Sequence, residues 1–283
     1  MLLRLIKSIV SNGQGSAATP AEGRVYVCLA GGLGNQLFQY AFARFLSTQG
    51  VAVDGLVTNL FRQDGYSREP LVPALSRIPA AHLSKDQLAA LKIVANDNGA
   101  VVLDTVQQRG QTGVVCRGYW QQQDYANAVA AELASDLKAY GERVPRAGNI
   151  TADCVLHVRR HDYGHLGLLP LAYYKAALAH CGSPRFAVVT DEPNFCEYVF
   201  GGVAGYAGVI RGDSADPWSD FFLMAGSRSQ IIANSSFSWW TAWLGRATGA
   251  TTTVIAPSAW SLIKGGNPCP VEWHRIDTAL ARP

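Results

Sequence analysis

A buried strand, a glycine-rich loop and a helix follow one another near the start of the chain, in RVYVCLAGGLGNQLFQYAFARFL. The run at 24–30 is apolar almost throughout, as in a strand covered on both faces. The segment at 37–46 repeats phenylalanine at helical spacing, and VAVDGLV at 51–57 resumes strand character. Strand, helix and strand form a β–α–β unit, which requires a parallel sheet covered by helices.

The same alternation continues along the chain and restarts after the linker-like stretch GERVPRAGN. In the first half we predict a helix around 85–94, strands near 100–104 and 113–117, and a helix across 124–140. In the second half we predict strands at 154–159, 186–190, 207–210, 230–234 and 252–257, and helices at 170–180, from 193, from 220 and at 236–247. The sequence therefore predicts an α/β protein with a flexible tail at 1–23 and two Rossmann-like domains at 24–145 and 150–283.

Composition narrows the class of protein and of partner. With 48% apolar and 16% charged residues, the 283-residue chain is typical of a soluble globular protein. A net charge of +3 is too small for the clustered basic face of a nucleic-acid-binding domain, so we expect no nucleic-acid partner. The six cysteines are scattered without a CxxC pair, which favours buried free thiols in a reducing compartment over disulfides or zinc.

The first ten residues, MLLRLIKSIV, are apolar but too short for a bilayer span, which needs about 20 residues. They precede a Gly/Ser/Ala-rich stretch and are predicted to be part of the tail. A weak interfacial helix that brings the protein to a membrane surface is the alternative, so peripheral membrane contact stays open.

The loop GGLGNQ at 31–36 brings backbone and amide groups to the end of the first strand. Gly32 and Gly34 allow a ligand to approach closely, and the helix that follows favours negative charge at its amino end. A dinucleotide fingerprint would place a third glycine where Leu37 stands, which argues against NAD. Asn35 and Gln36 are expected to present amides to sugar hydroxyls at the mouth of a cleft, although Asn35 also suits a helix cap.

A second cluster, HVRRHD, ends the first strand of the second half. Side chains alternate along a strand, so His157 and Arg159 point to one side and Arg160 to the other. A guanidinium fits two phosphate oxygens and stays charged at any relevant pH, which makes Arg159 a candidate ligand for a diphosphate. A solvated turn at the strand end is the competing interpretation.

Hydroxyl and carboxylate groups gather at the remaining strand ends of the second half. Asn234, Ser235, Ser236 and Ser238 stand where a strand passes into a tryptophan-rich helix, a typical anion-binding concavity. Asp191 follows a strand and Asp220 stands near the start of a helix, where an acid can be a cap or an acceptor for guanine N–H groups. The chain contains no D-x-D motif, so we expect no metal and no other cofactor.

Seven blocks, taken in order, are similar to the bacterial α-1,2-fucosyltransferases. They are GGLGNQLFQYAFA, GYWQQQDY, HVRRHDY, PLAYYKAAL, VVTDEP, DFFLMAGSRSQIIANSSFSWWTAWL and VIAPSAW. The resemblance covers about residues 24–275 and implies a GT-B fold, in which two Rossmann-like domains face each other across a cleft. It also implies metal-independent, inverting transfer of fucose from GDP-β-L-fucose to the 2-hydroxyl of a terminal galactose. The implied acceptor is a galactose-terminated oligosaccharide or lipid-linked glycan, such as an O-antigen repeat unit, bound on the first domain at the cytoplasmic side of a membrane.

The resemblance also assigns roles to individual residues. It implies that Arg159 binds the β-phosphate, that Asp220 reads guanine and that Asn35 reaches the transferred sugar. The expected catalytic residues are Arg159, Asn35 and Asp162. The expected donor-binding residues are Gly32, Gly34, Gln36, His157, Arg160, Asp191, Asp220, Asn234, Ser235, Ser236, Phe237 and Ser238.

The chain departs from the family pattern at His161, where glycine is usual, so the shape of the loop after Arg160 stays open. The general base also stays open among Asp162, His157 and His161, and Asp162 can equally orient an arginine. The alternatives are a fucosyltransferase of another linkage, α-1,6 or O-linked, and a non-catalytic module that binds a GDP-sugar or a glycan.

Overall fold

The computed structural model describes residues 23–61, 68–108, 113–145, 152–161, 163–210, 216–262 and 266–282. Three sequence predictions fall outside these ranges: most of the tail, part of the linker and Asp162. Among the described helices, none is both long enough and apolar enough to cross a bilayer.

The first sheet contains five parallel strands in the order β3-β2-β1-β5-β4. The strands are β1 (Val25–Cys28), β2 (Val53–Val57), β3 (Ala80–Ala81), β4 (Lys92–Ala95) and β5 (Val114–Arg117). The helices that accompany them are α1 (Leu33–Thr48), α2 (Lys85–Ala90), α3 (Gly99–Gln108), α4 (Gln123–Ala128) and α5 (Ala130–Gly141). A short 3₁₀ turn occupies Val72–Ala74.

The second sheet contains six parallel strands in the order β11-β10-β9-β6-β7-β8. The strands are β6 (Cys154–Val158), β7 (Phe186–Thr190), β8 (Tyr206–Ile210), β9 (Ser229–Ile231), β10 (Thr253–Pro257) and β11 (His274–Ile276). The helices are α6 (Leu171–His180), α7 (Pro193–Phe200), α8 (Pro217–Ala225) and α9 (Ser236–Ala247). Two parallel sheets covered by helices confirm the predicted α/β fold with two Rossmann-like units of the GT-B type.

The strand order places a topological switch point in each sheet. In the first sheet β1 lies between β2 and β5, and in the second β6 lies between β7 and β9. In each sheet the central strand lies between the strand that follows it in the chain and a strand from later in the chain, and a crevice opens at the carboxyl ends where the strand order reverses. Ligands of open α/β sheets bind in such crevices, so the loops after β1, β5, β6 and β9 are the places to look for a site.

Most of the predicted elements are present, but two predictions in the first half are wrong. Residues 100–104 form part of α3, not a strand, because Asn98 accepts a hydrogen bond from the amide of Ala100 at 3.0 Å and so begins a helix. The helix predicted at 85–94 ends at Ala90, where the chain enters β4 beside β5. Apolar β-branched runs are ambiguous between helix and strand, and pairing with a neighbouring strand decides.

Helices from both halves pack against each other in one shared core. The ring of Phe38 in α1 lies 4.6 Å from that of Trp239 and 5.0 Å from that of Trp240, both in α9. One turn earlier, the backbone of Gly34 touches that of Ser236. The two helices therefore run side by side in the same direction, and their amino ends meet at one edge of the molecule.

All six cysteines lie within the described ranges, and all six are free thiols. Five are buried and Cys181 is half-buried, which confirms the prediction of free thiols. Burial raises the pKa of the Cys28 thiol to about 11 and that of Cys116 to about 12, so neither is a nucleophile at neutral pH.

Candidate active site

The loop after β1 brings the amino end of α1 against the second half of the chain. Gly31 has φ +75°, a left-handed conformation that favours glycine. Gly34 contacts the second half so closely that a Cβ there would overlap the carbonyl group of Ser236 and the amide nitrogen of Phe237. Gly34 thus serves the contact between the two helix ends, and the half-buried Gly32 is the N-cap of α1.

Asn35 joins three segments that lie far apart in the sequence. Its Oδ1 accepts a hydrogen bond from the Oγ of Ser236 at 2.9 Å and from the Nε2 of Gln121 at 2.8 Å. Ser236 follows β9, Gln121 follows β5, and Asn35 itself follows β1. One oxygen atom therefore connects the switch points of both sheets, and the half-buried Asn35 side chain lies where the halves meet.

Gln36 is fully buried and binds only backbone. Its Nε2 donates to the carbonyls of Gly31 at 3.1 Å and Glu69 at 2.9 Å, and its Oε1 accepts from the amides of Leu71 and Val72. The expectation that this amide lies at the mouth of a cleft is wrong, because buried amide groups must find partners and here the 69–72 segment supplies them.

Arg159 directly follows β6 and pairs with Asp191, which directly follows the neighbouring β7. The distance from the Arg159 Nε to the Asp191 Oδ2 is 3.2 Å, and the Arg159 side chain keeps 29% of its surface exposed. Asp191 also accepts from the backbone amides of Arg160 at 3.0 Å and His161 at 3.1 Å. Asp191 therefore fixes the turn after β6 and orients Arg159.

Arg160 and His161 lie on the far side of that turn. The Arg160 guanidinium carbon stands 4.0 Å from the ring centroid of Phe195 in α7, a cation–π contact. His161 is exposed, and its Nδ1 is 3.5 Å from the Oε1 of Glu192. Both side chains contact the segment after β7.

His157 is the fourth residue of β6 and is buried beneath Arg159. Its ring centroid lies 5.5 Å from that of Phe237 in the first turn of α9. Burial, together with the nearby charge of Arg159, lowers the pKa of His157 to about 3. The imidazole is therefore neutral at physiological pH, and its buried Nδ1 has no hydrogen-bond partner among the described residues.

The start of α9 is less open than the run of hydroxyls suggested. Ser235 is the N-cap, and Ser236 and Phe237 are half-buried at the first helical positions. Ser238 is fully buried and donates to the carbonyls of Ala233 and Ser235, both at 3.3 Å. The expectation that the Ser238 hydroxyl faces a ligand is wrong, because it bonds back to the turn before it.

Asn234 is also a buried residue of this turn. Its Nδ2 donates to the carbonyls of Gly167 at 3.1 Å and Trp260 at 3.0 Å, so its amide holds two loops together. Its Oδ1 is buried, and within the described part of the chain it has no hydrogen-bond partner.

Asp220 lies in the first turn of α8, which is capped by Asp216 through a 3.0 Å hydrogen bond from the amide of Trp218. Burial, with a smaller contribution from the charge of Asp216, raises the pKa of Asp220 to about 6. Its Oδ1 is buried and accepts no hydrogen bond from any described residue. The next residue, Phe221, packs edge-on against Phe237 at 5.8 Å, which places α8 beside the start of α9.

Two residues near this site were not singled out from the sequence. Gln121 stands in the GYWQQQDY block, but no local pattern shows that it bonds Asn35. Arg68 stands beside the amino end of α1, with its Nε 3.9 Å from the position of a Cβ on Gly32. Contacts between distant segments give no periodic signal, which is why sequence patterns missed both.

The assembled edge suits an anion. The amino ends of α1 and α9 meet there, and each carries partial positive charge on its unpaired backbone N–H groups. The partly exposed guanidinium of Arg159, oriented by Asp191, lies at the neighbouring strand end. Within the described ranges, no three His, Cys, Asp or Glu side chains converge as metal ligands would.

Comparison with known proteins agrees with these features. Residues 112–264, more than half of the chain, match the model of glycosyl transferase family 11. The O-antigen biosynthesis glycosyltransferase WbnK of Escherichia coli is 26% identical over 83% of this chain and 94% of its own length. The α-1,2-colitosyltransferase of Escherichia coli is 24% identical over 88% of this chain and 97% of its own.

A solved structure of the α-1,6-fucosyltransferase NodZ, soaked with GDP-fucose, covers 79% of this chain and 92% of its own at 16% identity. Its TM-score is 0.43, so the fold assignment depends on the two sheets described above. The family match, which spans the Arg159 strand end, Asp220 and the start of α9, identifies the chain as a glycosyltransferase. The chain belongs to glycosyl transferase family 11.

Proposed function

We propose that this glycosyltransferase transfers L-fucose from GDP-β-L-fucose to the 2-hydroxyl of a terminal galactose, with inversion at the anomeric carbon. The observation that carries the proposal is the convergence, at one edge, of two helix amino ends and the partly exposed Arg159. A departing diphosphate gains negative charge in the transition state, and preorganised positive groups stabilise it there. No step of this mechanism requires a metal ion or another cofactor.

The chemistry of Asp220 supports the proposal that the donor carries a guanine base. Its buried Oδ1 has no partner among the residues that the structure describes, and the carboxylate is ionised above its pKa of about 6. Guanine presents two adjacent N–H donors, at N1 and the exocyclic amine, which match a carboxylate. The half-buried ring of Phe237, which packs edge-on against the buried Phe221, is suited to contact a planar base.

The acceptor hydroxyl loses its proton during transfer. The candidates for the general base that accepts it are Asp162, His157 and His161. His157 is the least favoured candidate, because its ring is buried and its pKa of about 3 makes it a weak base. Asp162 stays a proposed catalytic residue and lies outside the described residues. A strongly dissociative transition state needs little help from a base.

One relative supports a second donor. The match to the α-1,2-colitosyltransferase covers 97% of that protein's length. Colitose differs from fucose by the absence of the 3-hydroxyl, so both sugars present the same methyl group and anomeric centre. GDP-colitose is therefore the alternative donor, and an O-antigen repeat at the cytoplasmic membrane face is the proposed acceptor in either case.

The test is a donor and acceptor panel. The purified chain is incubated with GDP-fucose or GDP-colitose and with galactosides of different linkage, and the products are analysed by mass spectrometry and linkage analysis. We expect fucose on the galactose 2-hydroxyl and unchanged turnover after exhaustive EDTA treatment. Transfer from GDP-colitose alone, a different linkage, binding without a product, or strict dependence on Mn²⁺ would each contradict the corresponding part of the proposal.

A further inference from the structure

The loop after β5, residues 118–122, lies at the switch point of the first sheet. β5 pairs with β1, so this loop stands beside the glycine loop that opens α1. The carbonyl of Gly118 accepts a hydrogen bond from the Nε2 of Gln39 in α1 at 3.0 Å. At the other end of the loop, Gln121 donates to Asn35 at 2.8 Å. The loop is therefore tied at both ends to the helix that meets the second half.

The loop is held in an unfavourable backbone conformation. Trp120 has φ +46°, a region that a bulky residue rarely adopts and that costs about 1–3 kcal/mol. Asp97 compensates by accepting hydrogen bonds from the amides of Tyr119 and Trp120, and the Trp120 ring stacks on Phe42 at 4.3 Å. Such strain persists where the surrounding structure enforces it, and it is concentrated at functional sites.

The conformation separates two adjacent aromatic side chains. Trp120 is fully buried in the core, whereas Tyr119 keeps 45% of its surface exposed. The strained residue thus turns one ring inward while its neighbour stays at the surface, two positions from the Gln121 that binds Asn35. A large exposed ring next to the junction of the two halves is a place where a ligand can stack.

We propose that Tyr119 is a specificity-determining residue of the acceptor subsite, where its ring stacks on the apolar face of a pyranose ring of the acceptor glycan. A tyrosine ring is apolar on its face and polar at its hydroxyl, which suits a sugar that has both kinds of surface. The charged groups of the second half serve the diphosphate, and the neutral loop after β5 serves a neutral sugar. This inference rests on the proposed function, since it assumes a glycan acceptor.

The experiment compares Tyr119→Ala, Tyr119→Phe and Tyr119→Trp with the unaltered chain. We expect Tyr119→Ala to raise the KM for lactose roughly tenfold, the loss of one stacking contact. The KM for GDP-fucose and the slow hydrolysis of GDP-fucose without acceptor should stay within about twofold. The aromatic variants should keep the lactose KM within about threefold. Tyr198→Ala, at an 89% exposed tyrosine in α7, is the matched control and should change nothing.

A second variant tests whether the held loop matters. Asp97→Ala removes the acceptor of two loop amides and should raise the lactose KM in the same direction, with GDP-fucose hydrolysis retained. An unchanged lactose KM in Tyr119→Ala, or an equal loss of donor binding, would overturn the inference.

Lactose titrated in the presence of GDP separates this inference from the proposed function, because it needs no turnover. If the chain does not use GDP-fucose but Tyr119→Ala binds lactose more weakly than the unaltered chain, the proposed donor is wrong and the proposed role of Tyr119 is supported. If both chains bind lactose equally, the proposed role of Tyr119 is wrong and the proposed function is unaffected. If the unaltered chain does not bind lactose, the proposed role of Tyr119 is wrong as well.

Discussion

The strand-to-helix junctions of the two halves of the chain differ in charge. The junction after β1 is neutral, and its amides at Asn35 and Gln36 bind other protein groups. The junctions after β6 and β7 carry Arg159 and Asp191, and Asp220 in α8 has a buried oxygen without a partner among the described residues.

The difference in charge suits the binding of a different substrate by each half of the chain. The proposed reaction uses one highly charged substrate, the nucleotide sugar, and one neutral substrate, the acceptor glycan. Charge is costly to bury without a partner, so it is found where a charged ligand supplies that partner. We therefore propose that the second half of the chain binds the nucleotide donor and the first half binds the sugar acceptor.

The largest expected effect is that of replacing Arg159. If activity does not fall, the charge difference between the two halves has no role in donor binding. Arg159→Ala should lower kcat by about 10³-fold or more, because it removes the positive charge that stabilises the leaving diphosphate. Arg159→Lys should recover little, since lysine lacks the two-pronged guanidinium. Arg77→Ala is the control, because Arg77 pairs with Asp136 at the surface. Steady-state kinetics decides, and near-normal turnover in Arg159→Lys would show that the charged junction does not serve the diphosphate.

Gly34 tests whether the junction after β1 depends on the second half of the chain, which it contacts at the start of α9. In Gly34→Ala the new methyl group overlaps the backbone of Ser236 and Phe237, so α1 and α9 must move apart. Overpacking of this kind costs about 1–3 kcal/mol, or about 2–4 °C in Tm for each kcal/mol. Thermal unfolding measures this loss. Gly202→Ala is the control, since a Cβ there has no described atom within 4 Å. Equal Tm values for the two variants would mean that the helix ends are not in close contact.

The smallest expected effect is that of replacing Asp220, which tests what it costs to hold an ionised carboxylate in the second half of the chain. Because the folded-state pKa is about 6 and the ordinary value is 3.8, the folded chain holds this proton more tightly than the unfolded chain. The free energy of unfolding therefore falls as the pH rises from about 4 to 6, and the cost is fully present above pH 6. Asp220→Asn should gain about 1 kcal/mol above pH 6 and nothing below pH 4, since one pKa unit is about 1.4 kcal/mol and the group is partly exposed.

Denaturant unfolding of the ligand-free chain at several pH values checks the gain. Asp86→Asn, at an exposed acid in the first turn of α2, is the control and should not be stabilising. The same Asp220→Asn substitution should weaken GDP binding, so a gain in stability with unchanged GDP affinity would contradict the guanine assignment.

Sequence patterns predicted the second half of the chain more accurately than the first. The strand at 186–190 and the helix at 236–247 have the predicted bounds. In the first half, the strand predicted at 100–104 belongs to α3, and β4 was assigned to a helix. In the second sheet, β6 and β7 are five-residue strands that are buried almost throughout, which gives a clear signal, whereas β3 and β4 are short edge strands whose identity depends on pairing.

The sequence by itself determined the β–α–β order, the family and the position of Arg159 at a strand end. Those follow from the period of apolar residues and from motifs that are contiguous in the chain. Only the tertiary structure decided which polar groups face the opening. Asn35 and Ser236 are 201 positions apart, and Gln36 binds an amide 35 positions away. A buried polar group takes whichever partner folding brings within about 3 Å, and no spacing along the chain records that choice.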